Sequence, residues 1–311
     1  MTSLSAPFLH DEAAAYEFVE SVLWPDGPFC PRCGCLDRIT KVKANPEKRV
    51  RVGLWRCGHC KRQFTVKVGT VLESSNVKLT LWLQAVVLMT GSKKGISAHQ
   101  IHRTLGVTYK TAWFMCHRIR EAMRSGELAL FGGTGGIVEV DETFLGKDPK
   151  FARYAKSKVG LRQKMKVLAL IDRKTGKART RVIDHLSAKD ITPILHENIA
   201  REARVSTDEA SYYRSIGYSF AEHMSVNHSA DEYVRGEAHT NSLEGYFSIF
   251  KRGMKGIYQH CAKKHLHRYA SEFEFRYNNR SALGIEDQER ARIALMGIVG
   301  KRLTYRAGVD S

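Results

Sequence analysis

Three acidic residues stand where a fold could bring them to one point. Asp141 lies in "GGIVEVDETFLG", Asp208 ends "RVSTD", and Glu244 sits in "HTNSLEGYFSIFKRG". Sixty-six residues separate the first two and thirty-five the second two. Unpaired carboxylates gathered in a cleft repel one another and desolvate at high cost. Hard divalent cations, which take oxygen ligands, neutralise them. Two such ions about 3.5–4 Å apart activate an attacking oxygen and stabilise a leaving one in phosphodiester chemistry. Any one of these acids alone reads as a solvated charge or half of an ion pair. The combination points to a shared metal centre.

The elements that must hold these acids can be read from periodicity. Strand side chains alternate, so Ile137, Glu139, Asp141 and Thr143 share one face, and Val138, Val140 and Phe144 the other. Glu139 is expected deeper than Asp141 and not ligating. Glu142 is expected to point the opposite way and to be dispensable for metal. Strand patterns also run over 166–172, 178–185, the stretch "ARVSTDEA" and 221–228, with a helix over 187–200. From about His239 to the end the pattern is helical. Leu243, Phe247, Phe250 and Met254 then make an apolar stripe, with Asn241, Glu244, Ser248 and Lys251 beside it. Strands, a helix, a strand and more helices predict a mixed α/β domain.

A second constellation is made of thiols. "FCPRCGC" and "WRCGHCKRQF" place Cys30, Cys33, Cys57 and Cys60 in two CxxC pairs separated by 23 residues. Four thiolates at tetrahedral corners suit Zn²⁺ and close its coordination shell, which marks a structural site. Cys35 and His59 lie nearby, while Cys116 and Cys261 read as plain buried residues.

Between the two comes "SAHQIHRTLGVTYKTAWFMCHRIREAM", Ser97 to Met123. Ile101 and Leu105 mark one helix, Gly106 a tight turn, and Thr108 the cap of a second whose inner face uses Ala112, Cys116, Ile119 and Met123. Helix, glycine turn, helix predicts a helix-turn-helix. Seven Lys and Arg against one acid between Lys93 and Arg124 favour DNA as its ligand. Tyr109 and Lys110 would enter a groove near the N-terminal end of the second helix, with Arg118 further along it.

Charge agrees. Lys and Arg number 50 against 32 Asp and Glu, a formal net charge of +18, which favours an acidic partner such as nucleic acid. Lys147 to Arg181 holds thirteen basic residues, and Lys251 to Arg268, with Lys251 and Arg252 at its start, holds six without an acid. Both could grip phosphates. No run of eighteen apolar residues predicts a membrane span. The first residues lack a basic region followed by an apolar one, so a cytoplasmic protein is expected. The predicted organisation is an N-terminal helix over 1–28, capped by Asp11, then a zinc ribbon over 29–70 and a helix-turn-helix region over 71–130. A catalytic domain over 131–290 follows the "GGTGG" break, and 291–311 is expected to be a tail with a frayed end.

The motifs "IVEVDET", "STDEAS" and "HTNSLEGYFSIFKRG" resemble those of DDE transposases of bacterial insertion sequences. The Asp208-x35-Glu244 spacing, with Lys251 seven residues on, is similar to the pattern shared with retroviral integrases. The segment "CPRCGC…WRCGHCKRQFTVKVGTVLESS" joined to this core resembles the ISXO-like transposases, and the likeness runs over roughly residues 15–280. It implies an RNase H-like core, Mg²⁺ or Mn²⁺ at Asp141, Asp208 and Glu244, and Lys251 as a contact to the DNA end. The implied substrates are double-stranded DNA, both terminal inverted repeats and target, handled by a homo-oligomer. Some relatives carry Asn as third residue, and Asn241 lies one turn from Glu244; Glu244 is preferred because a neutral amide binds a hard cation less well. Two rival readings are a zinc-ribbon DNA-binding regulator without catalysis and a structure-specific nuclease on the same fold.

Overall fold

Asp11 caps the first helix as its type predicts: its carboxylate accepts from the Ala14 amide at 2.7 Å, and α1 runs Glu12–Leu23. The structure is a computed structural model that describes residues 4–127, 129–148, 150, 160, 163–226 and 239–304. The chain divides into two units, Met1–Arg124 with Gly284–Ser311, and Ser125–Leu283.

In the first unit, β1 (Ile39–Lys41), β2 (Trp55–Cys57) and β3 (Gln63–Phe64) form a three-stranded antiparallel sheet around the cysteines. Such a small sheet has little apolar area, and Cys30, Cys57 and Phe64 are its buried centre. Glu20 of α1 ties to it by accepting from Trp55 Nε1 at 2.8 Å and pairing with Lys41 at 3.1 Å. Helices α2 (Leu79–Gly91), α3 (Ala98–Leu105) and α4 (Tyr109–Met123) follow. Glu12 reaches from α1 to accept the Leu79 and Thr80 amides, and so caps α2 from another element.

The helix-turn-helix pattern is realised. Ser97 caps α3 through the Gln100 amide, and Thr108 caps α4 through the Thr111 amide. Gly106 between them has φ +66°, a left-handed turn that glycine adopts without cost. Ile101, Ala112, Cys116, Ile119 and Met123 are buried as expected.

The stretch 291–311 departs from expectation. Helix α8 (Asp287–Met296) belongs to the first unit and buries Ala294, Leu295 and, just beyond it, Ile298. Gly297 lies so close to the Ala122 carbonyl that an added Cβ would sit 2.3 Å from its oxygen. Helix is expected from about His239 to the end, so what differs is its packing: Arg290 is buried and its guanidinium donates to the Thr90 and Ile285 carbonyls. Of the last ten or so residues, expected to be frayed, those from 305 onward lie outside the described residues.

The second unit is built on one sheet. Its strands are β4 (Ile137–Lys147), β5 (Lys164–Asp172), β6 (Lys177–Ile183), β7 (Arg204–Asp208) and β8 (Glu222–Val226), in the order β6-β5-β4-β7-β8. The first three pair antiparallel; β7 joins β4 in parallel and β8 joins β7 in parallel. Val138, Val140, Leu168, Leu170 and Val205 face α5 (Ala188–Asn198), which contributes Ile191 and Leu195. On the other face Val167, Ala169 and Ile171 pack with α6 (Asn241–Gly253) and α7 (Lys263–Asn278) through Leu243, Phe247, Phe250, Leu266 and Phe273. The mixed α/β class and the apolar stripe of α6 are therefore as the sequence predicts, and residues 227–228 of the expected last strand lie outside the described residues. Gly132 of the "GGTGG" turn has φ +73° and lies against Ala203 and Val138, where an added Cβ would clash at 2.4 and 2.8 Å.

Candidate active site and metal centres

The register of β4 explains where a cleft can form. Along β5 it pairs from Val138 to Lys147. Along β7 it pairs only at Ile137, Val138 and Glu139, with Arg204, Val205 and Ser206. Extending that parallel register by two residues would set Asp141 opposite Asp208, but no ladder continues there. The two strands part above Glu139, and the gap between their ends is the crevice.

Asp141 and Asp208 meet at that gap. One carboxylate oxygen each from Asp141, Glu142 and Asp208 lie within 4.8 Å of one another. Asp141 Oδ1 accepts from the Glu142 amide at 2.7 Å, and Asp208 Oδ1 from the Ala210 amide at 3.1 Å. Burial raises the Asp141 carboxyl, the charges of Glu142 and Asp208 add to it, and the group stands at about 8 instead of 3.8. The Glu142 amide and the Lys251 ammonium pull the other way. Burial also pushes Glu142 up. Hard oxygen donors gathered at one point, with Asp141 and Glu142 both resisting ionisation, fit a divalent cation of the Mg²⁺ or Mn²⁺ type.

Glu142 departs from expectation. It projects on the α5 side of β4, as alternation requires, and there accepts hydrogen bonds from the hydroxyls of Tyr212 and, at 2.8 Å, Tyr213. Yet its carboxylate belongs to the acidic group. Among the described residues no strand pairs with β4 on its β7 side beyond Glu139, so side chains from both faces reach the same gap. The adjacent Tyr212-Tyr213 pair, four residues after Asp208, was the signal in the sequence that a carboxylate nearby needed donors.

Glu139 is fully buried and outside the acidic group, as expected. It accepts from Arg173 Nε at 2.7 Å, Ser242 Oγ at 3.0 Å, and the Ser242 and Leu243 amides, both at 3.1 Å.

On α6, Asn241, Glu244 and Lys251 are all exposed, on the stripe beside the buried one. Lys251 acts on Asp141 electrostatically and lies 6.0 Å from the Phe247 ring centroid. Arg252 folds back to donate to Ser248 O at 3.1 Å and Ser248 Oγ at 2.8 Å. Glu244 lies outside the 4.8 Å acidic group, whose third member is Glu142.

The four cysteines also converge. Their Sγ atoms lie within 4.8 Å of one another, with Cys30–Cys60 and Cys33–Cys57 both at 3.7 Å. Four sulfurs about 2.3 Å from a tetrahedral ion would stand roughly 3.8 Å apart, so the cluster fits Zn²⁺. The Cys60 amide, 3.5 Å from Cys57 Sγ, is the main cause that lowers the Cys57 thiol to about 6, in the range where a ligating thiolate is already available. Cys35 is not in the cluster and turns to Asp37.

On the helix-turn-helix, Tyr109 is 43% exposed and stacks on His99 with ring centroids 4.2 Å apart, and Lys110 is exposed beside it. Arg118, expected at the DNA, is a correction. It is buried, donates to the Leu303 and Glu73 carbonyls at 3.2 and 3.1 Å, and lies over the Phe114 ring. From Met115 to Arg120 every residue of α4 is buried, so only its first turns and the exposed side of α3, with Gln100, Arg103 and Thr104, are accessible.

Residues 134–278 match the ISXO2-like transposase domain, and residues 10–63 the transposase zinc-ribbon domain. An uncharacterized protein in transposable element ISH50 of Halobacterium salinarum is 26% identical over 283 residues, 85% of this chain and 90% of that protein. An uncharacterized transposase-like protein of Haemophilus influenzae is 25% identical over 103 residues, 33% of this chain and 82% of that protein. A chain of the simian T-cell lymphotropic virus intasome in complex with PP2A regulatory subunit B56 gamma matches at 12% identity over 62% of this chain and 64% of that one, with a TM-score of 0.28, too low to carry an argument. The catalytic-domain match implies an RNase H-like fold for the sheet described above. No helix among the described residues is long and apolar enough to cross a membrane.

Proposed function

Because this chain belongs to the ISXO2-like transposases, we propose that it cuts DNA at the ends of an insertion sequence and joins the freed ends to target DNA. The observation that carries this reading is the convergence of Asp141 and Asp208 at the parted ends of β4 and β7, with Lys251 acting on the same point. Mg²⁺ or Mn²⁺ held there supplies the charge that activates an attacking oxygen and steadies a leaving one.

The chain's own groups have the remaining tasks. Asp141 and Asp208 would hold the cation charge from two strands of one sheet, each two residues beyond the last paired position, Glu139–Ser206. Glu244, exposed on the first turn of α6 and outside the acidic group, is our choice for the third catalytic acid, with Asn241 as its rival one turn away. Glu142 stands close enough to share the load. Lys251 and Arg252 steady the phosphates of the DNA end. Tyr109 and Lys110, at the open end of α4, contact the element ends, and Zn²⁺ on Cys30, Cys33, Cys57 and Cys60 holds the ribbon in shape. Both ends of an element must be processed together, so the active form is a homo-oligomer on double-stranded DNA.

A regulator without catalysis would leave three converging carboxylates with no use. A nuclease on the same fold would cut and never join. Incubating the protein with Mg²⁺, labelled pre-cut element ends and a plasmid separates the readings. Label appearing in the plasmid supports strand transfer; cutting without joining supports the nuclease; binding without either supports the regulator.

A further inference from the structure

Glu139 is a buried charge that the proposed chemistry does not use. It is 0% exposed and sits two residues before Asp141 on the same face of β4. An ionised carboxylate offers about four acceptor positions. Arg173 Nε, Ser242 Oγ and the amides of Ser242 and Leu243 fill them, with His239 Nδ1 at 3.4 Å. A charge this dry is costly unless every bond is made.

The two amides are ones that the first turn of α6 cannot satisfy within itself. A local Ser, Thr or Asp at the cap would serve a free helix just as well. Here Thr240 makes no such side-chain bond. The cap comes instead from the strand that carries Asp141. A second strut reaches β7: the His239 carbonyl accepts from Arg173 Nη2 at 2.6 Å and from Ser206 Oγ at 2.9 Å. Ser206 lies two residues before Asp208, and the Arg173 amide donates to Ile137 O at 3.0 Å.

We infer that Glu139 is a positioning residue whose bonds to Arg173 and to the first turn of α6 set that helix in register against the two catalytic strands. This rests on the reading of Asp141 and Asp208 as catalytic. Helix register matters because a slip of one residue moves the helix about 1.5 Å and turns it about 100°. Asn241 and Glu244 would then leave the stripe they occupy, and Lys251 would swing away from Asp141. With Glu139 in place the start of α6 is fixed at the level of the Glu139–Ser206 pair, just below the point where β4 and β7 part.

The test is Glu139→Gln in the full chain, with Ser206→Ala and Arg173→Lys as milder variants that leave the buried carboxylate in place. Three measurements are made: binding to element ends, strand transfer as a function of Mg²⁺, and hydrogen exchange by mass spectrometry. Glu139→Gln should bind ends within about twofold of wild type and transfer them on the order of 10–100-fold more slowly, the range a misplacement of about 1 Å produces. Half-maximal Mg²⁺ should rise. Exchange should increase over residues 241–247 and not over 164–172. Ser206→Ala and Arg173→Lys should show the same pattern at a few-fold. The inference is overturned if Glu139→Gln keeps the wild-type rate and a protected α6, or if protection falls equally across β5 and α6, which marks a packing role only. Asp141→Asn run alongside separates the two ideas. If it too transfers ends, the proposed reaction has failed, and the exchange pattern at α6 still decides the role of Glu139.

Discussion

Asp141→Asn should make the second unit more stable at the pH where the native residue is most needed. Free of divalent cations, the Asp141 carboxyl titrates at about 8 against an ordinary 3.8, chiefly because it is buried and next because Glu142 is beside it. The folded state thus holds the proton more tightly than the unfolded chain. The sign follows: the stability this group contributes is present in full below pH 4 and is lost as pH rises towards 8, at about 1.4 kcal/mol per pH unit. Over that window the loss from one carboxyl approaches roughly 5 kcal/mol. An asparagine of the same shape carries no charge and still accepts from the Glu142 amide, though more weakly. We expect a net gain of about 2–4 kcal/mol at pH 8 and about 1 kcal/mol or less at pH 5. Hydrogen exchange over residues 164–172, in buffer without added Mg²⁺ and without chelator so that the cysteine site is not stripped, reads this as protection roughly 30- to 800-fold greater at pH 8. Adding Mg²⁺ should protect the wild-type chain and leave the variant unchanged, because the cation relieves the same repulsion. An asparagine variant less protected than wild type at pH 8, or a difference that does not shrink towards pH 5, would refute the electrostatic argument.

Other expectations follow from the same geometry. Purified protein should hold one zinc per chain, and Cys57→Ser should lose it by metal analysis, with the ribbon becoming protease-sensitive. Lys110→Ala should weaken binding to all DNA and reduce the slope of log affinity against log salt by about 1 in filter-binding titrations. Arg118→Ala should leave that slope unchanged and cost about 2–3 kcal/mol in denaturant unfolding, since it strands the Glu73 and Leu303 carbonyls. Glu244→Gln should abolish strand transfer while Asn241→Ala only slows it; the reverse pattern would make Asn241 the third catalytic residue.

Much of this was legible in the residues because simple periods wrote it. The α6 stripe of Leu243, Phe247, Phe250 and Met254 is uninterrupted, and all four are buried. The two CxxC pairs needed only their spacing. Asp141 and Asp208 could be matched because each sits in a short strand pattern, "IVEVDET" and "RVSTD". What failed to show depended on partners distant in sequence. Glu142 looked idle because alternation assigns a face but cannot say that a neighbouring strand stops at Glu139. Arg118 looked like a DNA contact because a guanidinium that satisfies two carbonyls from residues 73 and 303 carries the same letter as one on a surface. The role of Glu139 lies in bonds to residues about a hundred positions on.

The most direct test of the account is strand transfer by the wild-type chain and by Asp208→Asn, with pre-cut labelled element ends, a supercoiled plasmid and either Mg²⁺ or Ca²⁺. The account predicts label joined to plasmid for the wild type in Mg²⁺, none for Asp208→Asn, and unchanged end binding for both. Joining by Asp208→Asn at the wild-type rate, or by the wild type after all divalent cations other than the ribbon's zinc are removed, would contradict it.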